Sequence, residues 1–153
     1  MNPMPSAAPS PGTAPLLRRS MIAGAIYDFA LGLSILGALE LLALVLPIPF
    51  PAEPFYARTQ GALLLGLGTF YAFAAHDLQR NLRNVAGAIV ARTAGGLYIS
   101  IYPLCDPSVS PFFLLFGGLD LLWAALHLYL LRRERVARFW PLLWRGEVVP
   151  PSP

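Results

Sequence analysis

Asn84-Val-Ala-Gly-Ala-Ile-Val-Ala-Arg92-Thr-Ala-Gly-Gly-Leu-Tyr98-Ile-Ser-Ile-Tyr102 is an apolar run with one arginine at its centre. About 20 residues at 1.5 Å rise cross a hydrocarbon core of about 30 Å, and this run has that length. A guanidinium cannot face lipid alone, so other helices carrying counter-charges must surround it. The reading of the whole chain follows from that requirement.

The composition agrees. Of 153 residues, 56% are hydrophobic and 12% charged. Soluble domains carry about 25% charged residues. Half that value, with the apolar residues in long blocks, points to a single all-α membrane domain. All 11 basic residues are arginines, and no arginine–aromatic interleaving suggests base stacking, so the net charge of +3 implies no nucleic-acid partner. The lone cysteine, Cys105, can form neither an internal disulfide nor a redox pair, and no Cys/His spacing suggests a metal site. No cofactor motif is evident.

Four runs are long enough to cross a bilayer, at about 21–46, 56–76, 84–102 and 112–131, within a domain of residues 18–131. Residues 1–17, proline-rich and uncharged, are expected to be a disordered tail. The first run is too long for a secretion signal and holds Asp28 and Glu40, so it is read as a retained span. Prolines at 47, 49, 51 and 54, and again at 103, 107 and 111, are expected to end helices. Residues 132–147 interleave arginines with Val136, Phe139, Trp140, Leu142 and Trp144, the pattern of a segment lying in the membrane interface. Residues 148–153 are expected to be a loose tail.

The arginines orient the chain. Arg18, Arg19, Arg80, Arg83, Arg132, Arg133, Arg135, Arg138 and Arg145 fall on one side of a four-helix bundle, and Arg58 alone on the other. The positive-inside rule then places both termini in the cytoplasm, with the protein in a cytoplasmic (inner) membrane.

Counting rise from the cytoplasmic ends puts Asp28 and Arg92 about 12 Å deep, Asp120 about 16 Å and His127 about 6 Å. Three charges on three helices thus share one level. Small residues flank each polar group at helical spacing: Gly24 and Gly32 beside Asp28, Ala88 and Gly96 beside Arg92, Gly117 and Ala124 with Asp120 and His127. On the second run the corresponding stripe is read as Ala62, Gly66, Thr69 and His76. Two carboxylates against one guanidinium leave a surplus negative charge, and a low-dielectric site neutralises such a charge by protonation. An inert structural network and a proton-relay or acid-catalytic site both fit this cluster.

At the opposite end Glu40 and Arg58 are expected to form a rim ion pair, or alternatively a substrate gate. Tyr27, Tyr98 and Tyr102 read as packing or interfacial aromatics, and His76-Asp77 as a solvated turn. Arg58-Thr-Gln-Gly61 resembles Arg92-Thr-Ala-Gly95, but runs two and three are antiparallel, and the match is read as coincidence rather than a repeat.

The pattern Tyr27-Asp28-x-x-x-Gly32, Arg58-x-x-Gly61-Ala-Leu-Leu-Leu-Gly-Leu-Gly68, Arg92-x-x-Gly95 and Asp120 resembles small bacterial four-helix membrane proteins of the broad DoxX-like kind, over about residues 20–131. Some of that group are implicated as subunits of quinone-linked oxidoreductases. The resemblance implies such a role as one option, although no residue here marks a quinone site. Three functions stay open. The chain could be a non-enzymatic subunit or assembly partner of a membrane complex, the leading expectation. It could be a redox or enzyme subunit acting on a quinone or other lipophilic molecule, or a small proton-coupled carrier. The expected partners are the lipid bilayer and either another membrane protein or further copies of the chain.

Overall fold

The computed structural model describes residues 14–47 and 51–149, and within them all regular structure is helical. The helices are α1 (Pro15–Gly37), α2 (Leu39–Val45), α3 (Pro54–His76), α4 (Leu82–Cys105), α5 (Phe113–Arg133) and α6 (Phe139–Arg145). Three of them, α1, α4 and α5, are long and apolar enough to cross a membrane. α3 has the same 23-residue length as α1, but Arg58 and Gln60 near its start and His76 at its end leave it a shorter uninterrupted apolar stretch.

The helix boundaries depart from the sequence reading in three places. α1 begins at Pro15, inside the stretch read as a disordered tail, and Leu17 is completely buried. Proline suits this first position because its missing N–H would have no helical partner there. Residues 1–13 lie outside the described residues. The run 21–46 is divided at Ala38, whose φ of −141° and ψ of 35° fall outside the helical region. Gly37 and Ser34 adjoin that break, and a glycine or serine at such a position lowers the cost of a kink. α4 continues through Pro103 to Cys105, because a proline in the last turn forfeits one backbone bond and the helix ends soon after. In the loop beyond, the Ser108 hydroxyl and then its backbone N–H bond Asp106, holding that carboxyl below the usual carboxylate range.

α1 packs closely on α3, and α4 on α5; looser contacts between α3 and α4 and between α1 and α5 complete a ring. Glycines let each pair approach to backbone contact. A Cβ on Gly32 would stand 2.8 Å from the Gly61 carbonyl, and one on Gly61 would stand 2.9 Å from the Gly32 carbonyl. Gly96 and Gly117 repeat this reciprocal contact, each 2.9 Å from the other's carbonyl on the same measure. The pairs correspond further. Asp28 lies one turn before Gly32 and Arg92 one turn before Gly96; Tyr71 follows Gly61 by the same interval as His127 follows Gly117. α1 and α4 run in one direction, α3 and α5 in the other. The halves are therefore pseudo-two-fold related about an axis along the helices, the arrangement of a parallel internal repeat. The sequence reading missed it by aligning α3 with α4, which are antiparallel neighbours.

The hydrophobic core occupies one half of the ring only. Leu17, Met21, Ala74, Leu82, Val85, Ile89 and Leu131 fill the end that carries most of the arginines. Val136, Ala137 and Leu142 of the C-terminal segment seal it, while Trp140 and Trp144 stay exposed. α6 ends at Gly146 with φ of +69°, and the N–H groups of Gly146 and Glu147 bond the carbonyls of Leu142 and Pro141. The bond from Gly146 N–H to the Leu142 carbonyl is that of a left-handed C-cap, and glycine avoids the Cβ strain of that position. Val149, in the stretch read as a loose tail, accepts a 2.7 Å hydrogen bond from Arg138 N–H.

Two long-range contacts staple the same end. The N-cap Ala14 has no side-chain acceptor, so the first N–H groups of α1 need one from elsewhere. Glu134, at the end of α5, supplies it: its carboxylate accepts from Leu16 N–H at 3.0 Å and Leu17 N–H at 2.9 Å. Arg18 Nε donates to the Ala75 carbonyl in the last turn of α3, at 2.8 Å.

Candidate functional site

The interior polar site begins at Arg92, whose side chain is 1% exposed. Its Nη2 donates to Asp28 Oδ1 and its Nη1 to Asp120 Oδ1. Its Nε donates to the Tyr71 hydroxyl at 3.4 Å. The Tyr27 and Tyr71 rings lie 5.4 and 5.5 Å from the guanidinium carbon, within cation–π range. All three nitrogens of the group thus have partners, as a buried guanidinium requires.

Asp28, Arg92 and Asp120, singled out by depth in the sequence, meet in one cluster. His127 joins it indirectly: Tyr71 Oη lies 3.4 Å from His127 Nδ1, and Trp123 stacks on the imidazole at a centroid distance of 5.5 Å. Because Tyr71 accepts from Arg92, it has its proton free to donate to His127. Asp28 Oδ2 and His127 Nε2 make no hydrogen bond among the described residues.

Tyr71 is the residue the sequence reading missed. The stripe assigned to α3, Ala62, Gly66, Thr69 and His76, is wrong in register: Ala62, Gly66 and His76 are exposed and Thr69 is half-buried. The buried face is Gly61, Gly68, Tyr71, Ala74 and Ala75. Gly68 lets Asp28 come close, and Gly24 faces the Tyr71 ring. A tyrosine one turn from Gly68 and opposite a glycine was the available signal.

Above the cluster, in the half that lacks the hydrophobic core, the two helix pairs leave between them a half-open cavity of about 740 Å³. Arg92 and Asp120 form its floor, Ile35 and Ile99 face its centre from equivalent positions, and Tyr98 and Tyr102 stand on one wall. The kink at Ala38 brings α2 over this space, so that Leu39, Leu42 and Leu46 also line it. Tyr27, read as a packing residue, is part of the floor as well. The two outer-rim candidates, Glu40 and Arg58, pair at 3.4 Å with both side chains largely exposed. Asp77 pairs with Arg80 at 3.5 Å in the turn between α3 and α4, and neither residue reaches the cluster.

Chemically, the site offers a fixed charge network beneath an apolar chamber of the size that holds a drug-sized molecule. Among the described residues no grouping of histidine, cysteine and carboxylate side chains could hold a metal ion. Comparisons with protein-family models, curated proteins and solved structures give no match, so the geometry alone carries the functional reading.

Proposed function

We propose that the protein is a four-span inner-membrane protein, both termini cytoplasmic, that holds a lipophilic small molecule in the chamber above Arg92 and Asp120. The single observation that carries this reading is the 740 Å³ cavity: apolar walls on an ion cluster, opening away from the arginine-rich end. An apolar cavity with a few convergent polar groups is the usual form of a small-molecule site. The fourth span is α3, supported by an outward face of Leu63, Phe70 and Phe73 that is as apolar as those of the other three. Such binding suits a subunit that holds a lipophilic molecule for a partner protein, and the protein itself need not be an enzyme.

The test is purification in mild detergent followed by mass spectrometry of what remains bound. A lipophilic molecule should accompany the native chain and be lost from Ala57→Phe, which fills the chamber from α3. Bulk membrane lipid alone in both preparations would refute the reading.

A further inference from the structure

We propose that the head group taken by the chamber is a positively charged hydrogen-bond donor, so that the ligand class is a lipophilic amine in its ammonium form. This inference rests on the ligand-binding reading above. Three of the five guanidinium N–H groups are taken, by Tyr71, Asp120 and Asp28, and the side chain keeps only 1% of its surface accessible, so it offers a ligand almost nothing to bind. An anionic head would find no exposed cation there and would meet two carboxylates against one guanidinium.

Asp120 is placed the other way. Its side chain keeps 16% of its surface accessible, while Arg92 keeps 1% and Asp28 none. One carboxylate oxygen binds Arg92, and the other, Oδ2, makes no hydrogen bond among the described residues. Oδ2 lies on the side of Gly95, 3.7 Å from where a Cβ on that glycine would stand, and Gly95 lines the chamber. The floor therefore presents a carboxylate whose surplus charge a cationic head would balance in place of a proton. The wall adds Tyr98 and Tyr102, with ring centroids 5.6 Å apart, and aromatic faces favour a cation. At the same end of the helices, Glu40, Glu53 and Asp106 outweigh the single Arg58, which raises the local concentration of cations rather than anions.

The experiment uses the full-length protein in zwitterionic lipid nanodiscs at pH 7. The probes are three matched pyrenes, 1-pyrenemethylamine, 1-pyrenemethanol and 1-pyrenecarboxylate, titrated by energy transfer from tryptophan. The ammonium should bind about tenfold or more tighter than the alcohol, and the carboxylate weakest, as expected for one desolvated ion pair. Asp120→Asn keeps the neutral Asp28–Arg92 pair, so the fold should persist. That variant should bring the ammonium to within about threefold of the alcohol. Equal binding of ammonium and alcohol by the native protein, or an ammonium preference that survives Asp120→Asn, would overturn the head-group assignment alone. Failure of all three probes, or binding that Ala57→Phe leaves intact, would overturn the chamber reading on which it rests.

Discussion

Tyr71 and His127 occupy equivalent positions in the two halves of the protein, and they touch each other, Oη to Nδ1, at 3.4 Å. Asp28 and Arg92 are likewise equivalent, and they form the central ion pair. Residues related by a two-fold axis meet only where they lie on it. The polar cluster therefore sits on the pseudo-axis, at the level where the two helix pairs are held together.

Tyr71→Phe isolates that contact. The change removes a hydroxyl that serves Arg92 Nε and His127 Nδ1, leaving two buried polar atoms without partners. It should cost about 1–3 kcal/mol, the usual penalty for such orphaned groups. Thermal unfolding in detergent measures it, with Tyr98→Phe, whose tyrosine is 67% exposed, as the neutral reference.

The charges of the cluster are not equivalent in what their loss does. Asp28→Asn combined with Asp120→Asn strands Arg92 as a buried cation, and arginine cannot shed its proton. The loss should be about 3–5 kcal/mol, whereas Arg92→Leu should cost less, because carboxylates can take up protons. Neutralising all three should recover most of the stability. Unfolding curves for the four proteins that rank the double asparagine variant as stable as the wild type would break this account.

The glycines divide into two groups. Gly32→Ala and Gly96→Ala place a Cβ against backbone, within 3.0 Å of a carbonyl that cannot turn aside, and each should destabilise by about 1–3 kcal/mol. Gly66, Gly87 and Gly118 have open space where a Cβ would stand, so alanine there should be neutral or stabilising by up to about 1 kcal/mol through helix propensity. Matched losses at Gly32 and Gly96 would also support the repeat.

The proposed orientation rests on the arginines. Alkaline phosphatase fused after Ser108 should be active, and the same enzyme fused after Gln79 or Arg138 should be silent. Activity at Gln79 would reverse the proposed topology.

The C-terminal segment has both buried and exposed apolar residues, with Leu142 inside and Trp144 76% exposed. If the exposed indoles sit among lipid headgroups, their emission should be blue-shifted and resist aqueous quenchers. Full quenching would return that face of α6 to water.

Asp28, Arg92 and Asp120 were legible in the sequence because a charge inside an apolar run stands out. The helical rise then places all three at one level without any tertiary knowledge. Tyr71 was not legible. On α3 two interleaved stripes of small residues, Ala62 with Gly66 and Gly61 with Gly68, satisfy the same spacing, and only the partner helix chooses between them. The break at Ala38 escaped for a similar reason, since Gly37 looks like any other glycine in an apolar run. The chamber had no sequence signal at all, because it arises where two helix pairs fail to close on each other.

Glu134 gives the chain an order of assembly. The amide groups that open α1 are made first, and the carboxylate that satisfies them is made more than a hundred residues later. During synthesis the first helix must wait, its leading turn without that acceptor, until α5 has been made and delivers its end. A chain interrupted before that point leaves α1 with an unfinished start.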